Sequence, residues 1–283
     1  MTTAALSSDL VGTVSEAIPV RWTKKDVLLY ACGIGARPDR DLEFLYEGHG
    51  PKVFPTFASI RGGAGPATLA KAGVHVDLSK ILHGAQSVQL HRELPPEATA
   101  TATGRITGVW DKGKAAVIDV ETTVVDDDGP LFTEAMSIFV RGAGGFGGER
   151  GPSTDGVNAP PDRAPDYALA FETRPEQAAI YRLSGDRNPI HIDPAFAREA
   201  GFDAPFLHGL CTYGIVGRAI LATLCGNDPA RFRSLEGRFA SRVELGDTIV
   251  TKIWRSGHGT AIVSAETQNS NVVLSQASTT WIA

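Results

Sequence analysis

The chain carries one pattern twice at a nearly constant offset. Tyr30 follows a polar helix start at Thr23-Lys-Lys-Asp26, precedes a turn through Gly33 and Gly35, and leads to Val53-Phe-Pro-Thr-Phe57. Tyr181 follows Thr173-Arg-Pro-Glu176, precedes a turn through Gly185, and leads to Pro205-Phe-Leu-His208. Tyr30 and Tyr181 are 151 positions apart, as are Phe57 and His208, while Leu82-His-Gly84 lines up with Leu235-Glu-Gly237 at a shift of 153. Self-similarity held over that length is the mark of a duplicated structural unit. The fold must therefore place two like units together.

Each unit ends in strand-like segments separated by turns. In the first these are Ser87–Leu94, Ala98–Trp110, Ala115–Val125 and Leu131–Val140, with turns at Asp111-Lys-Gly-Lys114 and Asp126-Asp-Asp-Gly129. In the second they are Ser234–Leu245, Thr248–Arg255, Thr260–Gln268 and Val272–Ile282, with a hairpin turn at Ser256-Gly-His-Gly259. Alternation of apolar and polar residues through Val117–Val124 and Thr248–Trp254 predicts strands covered on one face. One long apolar helix is predicted over Leu210–Leu224. Each unit thus reads as a helix followed by antiparallel strands, an α+β arrangement in which the sheet wraps the helix. Glycine and proline crowd Arg141-Gly-Ala-Gly-Gly-Phe-Gly-Gly-Glu149, Gly151-Pro152 and Pro160-Pro161, which predicts units over 1–141 and 165–283 joined by a linker, 142–164. That stretch lacks the Lys-Ser/Thr end of a phosphate loop, and Gly33-Ile-Gly35 lacks the third glycine of a dinucleotide fingerprint, so nucleotide binding is not expected.

The 283 residues suit two domains of about 140 each. A net charge of -5 gives no reason to expect nucleic acid or an anionic membrane as partner, and no apolar run is long enough to span a bilayer. Cys32, Cys211 and Cys225 lie beside apolar residues without Cys-x-x-Cys spacing, which predicts buried reduced thiols rather than disulfides or zinc. Residues 1–20 lack the basic start and apolar run of a signal peptide. Trp281-Ile282-Ala283 is not a peroxisomal address, so a cytoplasmic location is expected.

Chemistry is concentrated in Tyr181-Arg-Leu-Ser-Gly-Asp-Arg-Asn-Pro-Ile-His191, followed by Phe206-Leu-His-Gly-Leu210. Asp186 stands five positions before His191 on a turn favoured by Gly185, Asn188 and Pro189, and His208-Gly209 opens the apolar helix. An acid, a base and a helix N-terminus able to hold developing negative charge are what adding or removing water beside a carbonyl requires. Taken singly the residues say less. Asp186 in a Gly-Asp-x-Asn turn suits a turn cap equally, and an isolated His191 suits packing or the surface. His208 fits a role in orienting the loop at the helix start. Gly209 has no side chain and lets a substrate oxygen approach free amides.

The long motif, with Leu207-His-Gly209 downstream, resembles the signature of the MaoC-like (R)-specific enoyl-CoA hydratases, the hydratase 2 family. The duplicated layout is similar to the two-domain hydratase 2 unit of peroxisomal multifunctional enzyme type 2 and its stand-alone bacterial relatives. Leu82-His-Gly-Ala-Gln86 resembles that family's His-Gly-x-Gln, and Asp111-Lys-Gly113 resembles another of its turns. The likeness runs over residues 15–283. It implies a double hotdog fold, two helices wrapped by curved antiparallel sheets and lying side by side. It also implies reversible hydration of trans-2-enoyl-CoA to (3R)-3-hydroxyacyl-CoA with no metal and no cofactor beyond the coenzyme A of the substrate. By position, Asp186 and His191 match the catalytic pair, Asn188 a polar group beside them, and Gly209 the amide donor to the thioester oxygen. His83, Gly84, Lys112, Phe239 and His208 are expected to line the acyl-CoA substrate, although Lys112 also suits a solvated hairpin and Phe239 a core ring. A homodimer through sheet edges is expected, since open edges need covering.

The two units are unequal. At the offset of 151, Asp186 faces Gly35 and His191 faces Arg40, so the first unit has neither acid nor base and is expected to be silent. Its counterpart of the long helix, Thr56–Ala72, contains Gly62-Gly63, Gly65 and Pro66, which predicts a broken helix. Such a break opens a groove for a long or bulky acyl tail. Two rival readings remain: a hotdog acyl-CoA thioesterase, with water directed at the carbonyl carbon, and a non-catalytic acyl-CoA-binding subunit of a dehydratase complex. The Asp-x4-His pair with His-Gly downstream argues against the first, and the silent partner fused into the same chain against the second.

Overall fold

Ten strands form one antiparallel sheet in the computed structural model, which describes residues 6–75 and 77–283. The first five residues, part of the expected N-terminal unit and of the stretch read for a signal peptide, lie outside the described residues. The strands are β1 (Ile18–Trp22), β2 (Ile81–Leu90), β3 (Ala98–Asp111), β4 (Ala115–Asp126) and β5 (Gly129–Arg141) in the first half. The second half supplies β6 (Tyr167–Glu172), β7 (Phe232–Phe239), β8 (Thr248–Gly257), β9 (Thr260–Thr267) and β10 (Val272–Trp281). Their order, β1-β3-β4-β5-β2-β7-β10-β9-β8-β6, makes the duplication visible: outward from the centre both halves run second, fifth, fourth, third, first. The halves join where β2 pairs with β7, Gln86 opposite Gly237 and Val88 opposite Leu235.

Among the described residues six α-helices accompany the sheet: α1 (Lys24–Gly33), α2 (Leu42–Leu45), α3 (Gly65–Lys71), α4 (Gln177–Tyr181), α5 (Pro194–Glu199) and α6 (Gly209–Leu224). α1 begins as its sequence dictates, with the Asp26 carboxylate accepting from the Thr23 N–H at 2.8 Å. α6 is apolar on nearly every side and lies buried along most of its length, as such a helix must. It also lies directly against the first half: a Cβ on Gly217 would stand 2.4 Å from Thr56 Cγ2. One apolar core therefore runs through both halves, with Trp22 and Phe57 from the first and Tyr213 and Trp281 from the second. Two central helical segments wrapped side by side by one curved sheet make this an α+β double hotdog.

Four details differ from the expectations. β2 begins at Ile81 instead of Ser87 and ends at Leu90, so His83 and Gly84 sit in a strand. Residues 81–85 are all half-buried, which erases the alternation that reveals a strand, and the register slips between His83 and Ala85. β7 stops at Phe239, well short of Leu245. The short strands β1 and β6 were not expected; at five and six residues they are the two edge strands of the sheet. Cys32 is exposed, whereas Cys211 and Cys225 are buried. The expected break is present. Pro55–Ile60 forms a 3-10 segment, and regular helix resumes only at Gly65.

Candidate active site

The polar loop after α4 is built from two linked turns. Asp186 Oδ1 accepts from the Asn188 N–H, and Asn188 Oδ1 accepts from the Ile190 N–H, both at 3.1 Å. The second bond caps the 3-10 turn Pro189–His191. Gly185 makes the turn possible with φ +147°, a conformation that L side chains rarely adopt. The outcome is that the side chains of Asp186 and His191 come together.

His191 is buried, and its Nδ1 lies 2.9 Å from the Phe206 carbonyl. A carbonyl only accepts, so Nδ1 carries the hydrogen and Nε2 keeps its lone pair. His208 is fully buried, donates through Nε2 to the Asp186 carbonyl at 3.3 Å, and stacks on His191 with ring centroids 3.8 Å apart. Burial pushes His191 below the ordinary histidine value against the opposing pull of the Asp186 charge. Burial, reinforced by the nearby His191, pushes His208 down to about 3. Both imidazoles are thus neutral at neutral pH, which suits a base.

One donor atom from each of Asp186, His191 and His208 lies within 4.8 Å of the others, a spacing that matches a metal site. The ring geometry does not. The imidazoles stack with planes 28° apart, so their in-plane lone pairs pass one another instead of converging on a shared ion.

A cavity of about 1030 Å³ runs from this pair into the first half. Seven of the nine residues expected from sequence line it: His83, Gly84, Asp186, Asn188, His191, Gly209 and Phe239. Gly209 is the first residue of α6, where an N–H has no carbonyl one turn back. A Cβ on Gly209 would press the Phe239 ring at 3.2 Å. Phe239 in turn meets His83 edge to face, centroids 5.1 Å apart. His83 Nε2 is buried with no hydrogen-bond partner among the described residues, and burial lowers the pKa of this imidazole too. His208 lies behind the wall as a support for His191 and Asp186. Lys112 is not brought to the cavity; its ammonium donates to the Arg150 carbonyl in the glycine-rich stretch.

The broken helix contributes Ser59, Ile60, Gly63, Pro66, Leu69 and Ala70 to the same cavity. Two contributions went unread in the sequence. Arg238, on β7, and Arg242, just past its end, stand exposed on the wall. Glu134 is buried on β5, with Gln86 Nε2 donating to its Oε2 at 3.1 Å. Its signal was available: it falls on the same phase as Met136 and Ile138, the inward face of its strand.

An acid, a neutral imidazole and a helix N-terminus at one wide cavity of a double hotdog define a hydro-lyase. Comparison with known proteins agrees. Residues 21–142 match the MFE-2 hydratase 2 N-terminal domain and residues 157–278 the MaoC like domain. The chain is 43% identical to the enoyl-CoA hydratase ChsH3 of Mycobacterium tuberculosis, over 94% of this chain and 95% of that protein. Among solved structures it is similar to a MaoC-like dehydratase from Phytophthora capsici, with TM-score 0.87, 32% identity and 98% of both chains covered. It is also similar to the peroxisomal multifunctional enzyme type 2 of Drosophila melanogaster, with TM-score 0.81 and 32% identity over 95% of this chain and 48% of that one. The chain belongs to the MaoC-like hydratase 2 family.

Proposed function

We propose that the protein reversibly hydrates trans-2-enoyl-CoA to (3R)-3-hydroxyacyl-CoA. The C-terminal unit, 165–283, performs the chemistry; the N-terminal unit, 1–141, tied to it by the linker 142–164, receives the acyl tail. The observation that carries this reading is the Asp186–His191 pair on a cavity that the broken helix also lines.

The Asp186 carboxylate and His191 Nε2 both accept, so together they hold the two hydrogens of one water over C3. His191 Nδ1–H is committed to the Phe206 carbonyl. The pair therefore has no proton to give at the outset. As the water oxygen bonds to C3, one water proton passes to the pair and the alkene electrons move onto the thioester oxygen. The Gly209 N–H and the α6 dipole stabilise that enolate. The pair then returns the proton to C2 on the same face, a syn addition that balances without any other reagent. Asn188 holds the loop through its two turn bonds. Arg238 and Arg242, exposed on the cavity wall, are assigned to the coenzyme A phosphates, a role denied to Lys112 because it does not line the cavity. A homodimer through β1 or β6, the two sheet edges, completes the proposal.

The test is loss of the conjugated-enoyl absorbance on mixing with trans-2-enoyl-CoA, the product then being offered to (R)- and (S)-specific 3-hydroxyacyl-CoA dehydrogenases. Oxidation by the (R)-specific enzyme alone is expected. Product taken by the (S)-specific enzyme would overturn the stereochemistry. Coenzyme A release from a saturated acyl-CoA without hydration would overturn the reaction in favour of thioester hydrolysis.

A further inference from the structure

His191 is seated on a small apolar island. Ile190, Ala200 and Phe206, with Phe196 and Phe202 packed on them, form a cluster separate from the core that runs through both halves. The Phe206 carbonyl takes the His191 Nδ1–H at 2.9 Å, and the Phe206 ring meets the imidazole edge to face, centroids 5.1 Å apart. Phe202 packs on Phe206 in turn, at 4.8 Å. The stretch 200–208 that carries these rings has neither helix nor strand before α6 begins. A stretch with few contacts to the main core takes its place from the ties that reach it.

Within the second half, the Leu207 N–H donates to the Val243 carbonyl at 2.9 Å. The tie to the first half is Arg141, the last residue of β5. Its Nη2 donates to the Ser79 carbonyl of the first half at 2.7 Å and to the Ala200 carbonyl of the island at 3.1 Å. Its guanidinium also stands over the Phe202 ring, 5.7 Å from the centroid, within cation–π range. One side chain thus grips the start of the stretch and the ring that backs Phe206. Arginine suits this double task because its planar fork donates and stacks at once. Arg242 stands over the same ring at 5.6 Å, but it is exposed and is the group assigned to a coenzyme A phosphate. Arg141 is the tie that a bound thioester leaves in place.

We propose that Arg141, at the end of the first half, is a positioning residue for the hydration: by holding Ala200 and Phe202 it fixes the Phe206 carbonyl that orients His191. This rests on the hydratase reading of the site. Arg141 touches no reacting atom; the silent half lends the base its posture.

Arg141→Met removes the guanidinium and keeps the stem, and Arg141→Lys restores a cationic donor. With a trans-2-enoyl-CoA, Arg141→Met should lower kcat about tenfold to a hundredfold with KM within about twofold. Arg141→Lys should recover most of that loss. Arg218→Lys is the control. Arg218 ties α6 to the first half through the Ile34 carbonyl at 2.9 Å and Asp41 at 2.7 Å, partners outside the island. The control should lower Tm and leave kcat within about twofold. A second readout needs no turnover: NMR of the histidine ring nitrogens. The His191 Nδ1 hydrogen should exchange with water at least about tenfold faster in Arg141→Met than in the wild type. An unchanged kcat in folded Arg141→Met, an equal loss in Arg218→Lys, or a loss confined to KM would overturn the proposal. Absence of wild-type turnover with every thioester would overturn the hydratase reading instead. The exchange rate would then decide on Arg141, and an unchanged rate in Arg141→Met would overturn its role.

Discussion

The two halves share strand order and differ where it matters for chemistry. In the second, α6 is one apolar helix whose first residue, Gly209, opens onto the cavity. In the first, the counterpart is split into Pro55–Ile60 and Gly65–Lys71, and the split lies on the same cavity. The acid is missing from the first half for a spatial reason as well. Gly35, at the position of Asp186, has φ +76°, and a Cβ there would stand 2.1 Å from the Phe171 ring. Arg40, at the position of His191, is exposed. On the proposed function, duplication separates two demands that conflict in a single unit. An intact helix offers its N-terminal amides to an enolate, and a broken helix offers room.

The largest expected effect falls on the proposed catalytic pair. Asp186→Asn or His191→Ala should lower kcat roughly a hundredfold to ten-thousandfold, while Arg40→Ala at the matching position should leave kcat within about twofold. Equal losses at both positions would break the comparison. Next comes Gly209→Ala. The new methyl presses Phe239 and displaces the thioester from the α6 N–H, which should cost about a hundredfold in kcat. A smaller effect is expected in the broken helix: Ala70→Phe should lower the ratio of kcat/KM for long over short trans-2-enoyl-CoAs about tenfold.

The smallest effects concern stability against pH, and the halves should respond with opposite sign. His191 and His208 have folded pKa values below the ordinary 6.5, so the unfolded chain takes up protons first. Their contribution is present above about pH 6.5 and is lost as pH falls, by roughly 1.4 kcal/mol per unit for each imidazole. Glu134 is the reverse. Its folded pKa of about 8 lies above the ordinary 4.5, so stability is lost as pH rises between those values. Glu134→Gln removes that slope, and its advantage in Tm over the wild type should grow from pH 5 to pH 8. An advantage that shrinks over that range would contradict the buried neutral carboxyl.

Much of this was legible in the residues. The repeat offset foretold a symmetric pair, and Gly62-Gly63 with Pro66 foretold the broken helix, because backbone freedom and a missing N–H act locally. Asp186 and His191 could be paired because turn residues lie between them in the chain. What stayed hidden depends on contacts distant in sequence. The strand character of His83-Gly84 comes from pairing with β5, and Lys112 is held by a carbonyl 38 residues away. Short β1 and β6 exist through pairing with β3 and β8, partners far away in the chain. Glu134 shares the inward phase of its strand with Met136 and Ile138, but the residues that enclose it, Gln86 and Gly62, are distant in sequence.

The division of labour is tested most directly by kcat and KM for one long-chain trans-2-enoyl-CoA, measured side by side in His191→Ala and Ala70→Phe. His191→Ala should lose at least about a hundredfold in kcat with KM near that of the wild type. Ala70→Phe should raise KM with kcat within a few-fold. If the helix variant lost kcat as heavily as the histidine variant, with no change in KM, the chemistry would not be confined to the second half and the account would be wrong.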